Sequence, residues 1–322
     1  MILILANSTD KHLGLFSDLE HCKCVILHYV LLKKVGWVLR FFRRIHLSSH
    51  LNFGNHWPPL RHLWYDTGKD LPLDNVKTIV VINACLDKIS VNYLKRCKRM
   101  GIYIVLIILD SVDADSITVH KNRHLYFLPL WDKVISYDPV DAKKYGFTYK
   151  GFCYYSKYIS LPLTMRPKND IYFTGNTKGG RVALINSTFV YFTANGCKCI
   201  YDVQLKSKTD EQCQGINYVR RWVKYKEVLR RLSDCKCILE ILQTNQYGPS
   251  LRYFEAIFYN KKLITTNPNI INYPYYNSKW MKIIRSPEEL DIEWIKSTER
   301  VDYQYNGDFS PIHLIDFLNK NE

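Results

Sequence analysis

The chain has 322 residues, 47% hydrophobic and 23% charged, proportions that exclude a disordered, collagenous or coiled-coil protein. At roughly 150 residues per domain, that length gives about two domains. Forty-five Lys and Arg against thirty Asp and Glu leave +15, enough to attract phosphates, nucleic acid or an anionic membrane, and silent about fold.

The opening MILILANSTD has no basic stretch before its apolar run and turns polar after six residues. It therefore reads as a buried first strand and not as a signal peptide. The longest apolar runs, 24–32 and 102–109, fall short of the ~20 residues a membrane-spanning helix needs. Runs at 78–84, 103–109 and 133–136 follow as strands buried on both faces. Ser90 and Gly101 bracket one predicted helix, and a short one runs from 139 to 145, ending at Gly146.

The second half repeats this alternation. Strands are predicted at 171–174, 197–203, 237–242, 262–266 and 281–284. Helices are predicted after 181 and at 225–233, 251–259 and 311–319. Strands alternating with helices make parallel sheets covered by helices. The chain divides into residues 1–160, a linker at 161–170 with two prolines within 158–170, and residues 171–322, whose terminal helix is free to pack back on the first unit. The expected class is α/β, two Rossmann-like domains facing a cleft.

Ten cysteines include three C-x-C pairs, Cys22/Cys24, Cys197/Cys199 and Cys235/Cys237. Alternate residues of a strand share a face, and zinc sites use wider spacings, so these read as small buried hydrophobes, reduced in a cytosol.

Ligands of open parallel sheets bind beyond the carboxyl ends of the strands. Two loops there carry suitable residues. In Gly175-Asn-Thr-Lys178-Gly179-Gly-Arg181 the glycines admit a phosphate, and Lys178 and Arg181 supply charge. The spacing is not that of a P-loop, and a plain strand-to-helix turn is the alternative. The second loop leaves the strand CILEIL as Gln243-Thr-Asn-Gln246-Tyr247-Gly248-Pro-Ser250-Leu251-Arg252-Tyr-Phe-Glu255. Ser250 caps a helix whose free N–H groups suit a diphosphate. Arg252 suits its oxygens, and Glu255, three residues on and on the same face, can accept from two ribose hydroxyls. A solvated ion pair is the bland alternative, but Glu255 sits within the apolar YFEAIFY. Gln243, Gln246, Tyr247 and Gly248 would line the sugar or base pocket.

The segment 225–267, with YKEVLRRLSDCKCILEI, NQYGPSLRYFEA and KKLITTN, resembles the donor-binding half of GT-B glycosyltransferases, closest to bacterial enzymes of capsule and lipopolysaccharide assembly. WDKVISYDPVDAKKYGF, 131–147, resembles the end of their first domain. The resemblance implies a nucleotide-diphosphate sugar held by the second domain, a lipid-linked or oligosaccharide acceptor held by the first, and no metal or other cofactor. Many retaining members carry two glutamates eight positions apart. Here Tyr247 stands eight before Glu255, which leaves the stereochemical outcome open.

In the first domain, Asp10, His12 and Asp110 follow strands. A histidine steered by a carboxylate could take the acceptor proton, with His12 and Asp110 as the pair and Asp10 as the spare; a surface histidine and an ordinary loop aspartate are the alternative. From Leu31 the chain reads LLKKVGWVLRFFRRIHL. Lys33, Lys34, Arg40, Arg43 and Arg44 alternate there with Trp37 and Phe41, and no acidic residue lies between Glu20 and Asp66. A basic amphipathic helix of this kind lies in a headgroup layer; packing into the core is the alternative. The expected setting is cytoplasmic, peripheral on the inner face of the cell membrane. No helix-turn-helix, zinc module or RNP-type motif appears, and no nucleic-acid partner is expected. A nucleotide-sugar epimerase on the same scaffold, or a non-catalytic anion-binding protein, are the other classes.

Overall fold

The computed structural model describes residues 1–48, 60–113, 123–151, 154–156, 167–207, 210–219 and 222–320, with backbone only for Asp10, His12 and Leu13. Most of the expected linker therefore lies outside the described residues.

The first lobe is a seven-stranded sheet built from β1 (Ile2–Asn7), β2 (Val25–Leu32), β3 (Tyr65–Asp66), β4 (Thr78–Ile82), β5 (Tyr103–Ile108), β6 (Lys133–Ser136) and β7 (Thr148–Tyr149). Its order is β3-β2-β1-β4-β5-β6-β7. Only β3, on the edge, runs antiparallel to its neighbour. The second lobe orders β8 (Asn169–Asn176), β9 (Cys199–Gln204), β10 (Asn217–Val219), β11 (Cys235–Glu240), β12 (Lys262–Thr265) and β13 (Met281–Ile283) as β10-β9-β8-β11-β12-β13. Both sheets thus follow the doubly wound order 3-2-1-4-5-6.

The central strands β1, β4 and β5 are almost wholly apolar and buried, as strands covered by helices on both faces must be. The covering helices are α1 (Asp10–Leu15), α2 (Trp37–His46), α3 (Val91–Arg99), α4 (Pro139–Tyr145), α5 (Val182–Ala194), α6 (Tyr225–Ser233), α7 (Leu251–Phe258), α8 (Ile292–Lys296) and α9 (Ile312–Asn319). Helix α2 is the exception to burial and buries no residue.

Some expectations change. The stretch after β1, read as a loop, becomes α1 from Asp10 onward. The strand expected through Ala84 stops at Ile82, and a 3-10 turn, Asn83–Lys88, takes over. Ser90 precedes α3 but makes no side-chain cap. Of the C-x-C pairs, Cys235 and Cys237 are buried, whereas Cys24 is exposed. Its sulfur lies 3.2 Å from that of Cys22, because that pair precedes β2 instead of lying within it.

The end of the chain returns to the first lobe. Tyr155 N–H donates to the Phe309 carbonyl (2.8 Å), Ser310 Oγ donates to Asp18 Oδ2 (2.8 Å), and the Phe317 ring of α9 lies 5.2 Å from Lys150 Nζ.

Candidate functional site

In the second sheet the strand order reverses between β8 and β11, and a doubly wound sheet opens its ligand crevice at such a switch point. The loops leaving those two strands are 175–181 and 241–250, both singled out by the sequence. The structure brings them together. Thr244 Oγ1 donates to the Gly179 carbonyl at 2.9 Å. Gly179 has φ +68°, and a Cβ there would stand 2.9 Å from Gln243 Cβ, so only glycine lets these loops touch.

Arg181 ends the first loop, and its guanidinium is spent inside the protein. Nη1 donates to Ile241 O (2.9 Å), Nε to Lys178 O (3.0 Å) and Nη2 to Asn176 Oδ1 (2.5 Å). Burial, with no carboxylate beside it, pulls its pKa down to about 10. This side chain ties strand ends together and is not turned toward a ligand, which corrects its expected phosphate role. Gly175 is likewise packed, with its Cβ position 2.8 Å from the Phe173 ring. Lys178 stays half-buried beside Lys206. The sequence reading passed over Lys206 and Trp222. Lys206 Nζ lies 5.5 Å over the exposed Trp222 ring, and burial, then Lys178, lowers its pKa.

At the second loop, Ser250 Oγ accepts from Arg252 N–H (3.1 Å) and caps α7. Ser250 N–H in turn donates to Glu240 Oε1 (2.8 Å), and Thr265 Oγ1 donates to Oε2 of the same carboxylate. Glu240 is buried at the end of β11. It had no signal in the sequence beyond being the one acid in CILEIL, yet it fixes where α7 starts.

Arg252 and Glu255 face inward. Arg252 Nη1 lies 2.7 Å from Glu255 Oε2, with side-chain exposures of 12% and 0%. Among the described residues Glu255 is the guanidinium's only partner, leaving Nε and Nη2 uncommitted. Tyr225 Oη, on α6, donates to Glu255 Oε1 at 2.9 Å and meets Tyr155 Oη at 2.9 Å. Burial raises the Glu255 carboxyl to about 7, against the opposing pull of Arg252, Tyr225 and Lys11. Burial pulls Arg252 down, but Glu255 and the surrounding tyrosines outweigh it, so the guanidinium stays charged.

The second loop also touches the first lobe. Gly248 N–H donates to Asp138 Oδ2 at 2.7 Å, and its Cβ position would fall 2.6 Å from the Tyr137 ring. The residue expected to approach a ligand approaches the opposite lobe instead. Ser111 Oγ donates to the Asn245 carbonyl at 3.2 Å. Asp138 additionally caps α4 through Val140 N–H (2.9 Å); the cap was legible in Asp-Pro, the second partner was not. Asp141 Oδ2 accepts from Val112 N–H (2.6 Å) and Ser111 Oγ (3.2 Å), and burial raises its carboxyl to about 6. Gln246 reaches back to Gly248 O at 3.5 Å, and the half-buried Gln243 donates its N–H to Gln246 Oε1 at 3.4 Å. Tyr247 is 38% exposed, its carbonyl accepting from Tyr273 Oη at 2.9 Å.

Asp110 is exposed after β5 and accepts from Asn83 Nδ2 at 3.3 Å. Its pairing with His12, and the part of Asp10, fall on side chains outside the description. Two hollows, of about 560 and 510 Å³, lie elsewhere, one ringed by Lys168, Lys198, Lys236 and Lys296 and the other beside α3. The first opens at the amino ends of the strands, the wrong end for a doubly wound site; the paired loops carry the chemistry.

Both sheet orders and the switch-point loops are those of two facing Rossmann units. The fold is GT-B. Two solved structures superpose over 99% of the chain and 96% of their own length with a TM-score of 0.51: a UDP-N-acetylglucosamine 2-epimerase from Rickettsia bellii at 11% identity and a putative one from Listeria monocytogenes at 9%. A glycotransferase of kitacinnamycin superposes over 99% of this chain and 98% of that one at 10% identity and a TM-score of 0.45. No protein-family model and no curated protein sequence matches the chain.

Proposed function

We propose that this GT-B chain transfers a sugar from a nucleotide-diphosphate donor to a hydroxyl of a saccharide acceptor. The acceptor would be a growing, lipid-linked saccharide of capsule or lipopolysaccharide type, reached from the inner face of the membrane. The observation that carries the reading is Arg252, largely buried beside its carboxylate partner at the start of α7, with two guanidinium nitrogens that meet no partner among the described residues.

In this reading the diphosphate lies against the N–H groups that open α7 and beside Lys178. Arg252 offsets the charge that grows on the departing diphosphate, in place of a metal. Glu255 takes the ribose once Tyr225 Oη releases its Oε1. The Gly248–Asp138 contact, re-formed over the bound donor, excludes water that would hydrolyse it. Asp110, exposed at the carboxyl end of the first sheet beside Asn83, would accept the acceptor's proton.

The two neighbours with a TM-score of 0.51 favour a second reading, a nucleotide-sugar epimerase. Against it, Asp138 and Asp141 are committed to N–H groups and a hydroxyl, leaving few carboxylates to move protons on a sugar.

A thermal-shift panel of nucleotide diphosphates and nucleotide sugars tests the site, since a bound donor raises the melting temperature. A full shift retained by both Arg252→Ala and Glu255→Ala would remove the assignment. Incubation with a UDP-sugar alone separates the reactions, because an epimerase interconverts it without an acceptor.

A further inference from the structure

We infer that α2 is the face by which the chain docks on an anionic lipid bilayer, with the cleft end of the first lobe held at headgroup level. Helical spacing puts Trp37, Val38, Phe41, Phe42 and Ile45 on one side and Arg40, Arg43 and Arg44 on the other. A helix covering a sheet turns such an apolar side inward. This one does not: Trp37 is 80% exposed, Phe41 58% and Phe42 55%, and no residue of the helix is buried. Leu32 and Leu63, before and after this helix in the chain, are also exposed, at 48% and 54%.

The helix is nonetheless anchored. Arg43 Nη1 donates to Lys33 O at 2.7 Å, and Trp64 Nε1 donates to His46 Nδ1 at 2.6 Å. The apolar side is therefore presented on a fixed base, and a contiguous patch of this kind marks an interaction surface.

Charge selects the occupant. No acidic residue lies between Glu20 and Asp66, so a second copy seated here would press two basic rims together with nothing to neutralise them. A nucleic acid would satisfy the arginines and leave five large apolar side chains in water. An anionic bilayer meets both requirements, acyl chains for the aromatics and headgroups for the arginines.

Position gives the docking its use. Helix α2 follows the carboxyl end of β2, which pairs in parallel with β1, so the patch lies at the end of the sheet where the cleft opens. Resting on the proposed transfer to a lipid-linked acceptor, this brings the acceptor's anchor and the first-lobe strand ends to the same plane.

The test is co-sedimentation with phosphatidylcholine vesicles, with and without phosphatidylglycerol, alongside the nucleotide-sugar thermal shift. The wild type should pellet with the anionic vesicles at least tenfold better than with the neutral ones. Arg40→Gln/Arg44→Gln should weaken that binding on the order of tenfold or more, and Trp37→Ala/Phe41→Ala should abolish it. Both variants should keep the wild-type circular dichroism and whatever donor shift the wild type shows, so a failed donor assignment and a failed docking surface are read separately. Absence of vesicle binding, equal binding to both vesicle types, unchanged binding by Trp37→Ala/Phe41→Ala, or a solution dimer that this variant makes monomeric would each overturn the inference.

Discussion

Two arginines stand at the starts of two helices in the second lobe, each after a glycine-bearing loop, and the structure uses them in opposite ways. Arg181 gives its guanidinium to two main-chain carbonyls and an amide oxygen, and meets no carboxylate among the described residues. Arg252 meets one carboxylate, and among the described residues its other two nitrogens meet no partner. The same residue type in the same local setting ties strand ends together in one place and pairs with a buried carboxylate in the other. What separates them is whether neighbouring strand ends offer acceptors close enough to saturate the fork.

The comparison can be broken by substitution. Arg181→Ala leaves the Ile241 and Lys178 carbonyls without their charged donor, and should cost about 2–4 kcal/mol of stability in denaturant unfolding. It should do so whether or not a nucleotide is present. Arg252→Ala should weaken nucleotide-sugar binding about a hundredfold, roughly the 2–3 kcal/mol of a charge-assisted contact. Its unfolding free energy should fall less than that of Arg181→Ala, because Glu255 can protonate when left alone. If calorimetry showed the reverse ranking, the division between the two arginines would be wrong.

The smallest effect concerns pH. Burial lifts Glu255 from 4.5 to about 7, so between those values the folded chain holds a proton that the unfolded chain has released. Stability contributed by this group is present at the acidic end and is lost as pH rises through about 7. Glu255→Gln should flatten the dependence of melting temperature on pH across that window. An unchanged slope would mean that the pair with Arg252 holds the carboxyl ionised throughout.

Much of the fold was legible because its strands are continuous apolar runs and its helices have clean ends. Lys133–Ser136, Pro139–Tyr145 and Tyr225–Ser233 fall where patterning places them. Boundaries failed where polar residues occupy regular structure, as in α1 and in the turn at Asn83. Within the site, Ser250, Arg252 and Glu255 announce themselves by spacing along one helix. Tyr155, Tyr225, Asp138 and Glu240 could not, since each acts on a residue 10 to 110 positions away, and long-range pairing leaves no local period to read. The inward turn of Glu255 followed from its apolar surroundings; the outward face of α2 was one of two readings, and only the exposures decide between them.

The contact at Gly248 has a consequence for how such a chain can vary. The hooks that join the loop to the opposite lobe are a peptide N–H on Asp138, which every residue except proline supplies, and the peptide oxygen of Asn245 on Ser111, which every residue supplies. The exposed side chain of Tyr247 can therefore be exchanged during evolution while the clasp itself stays shut. Glycine at 248, where a Cβ would strike the Tyr137 ring, and Asn245, held at φ +62°, are the letters the clasp restricts.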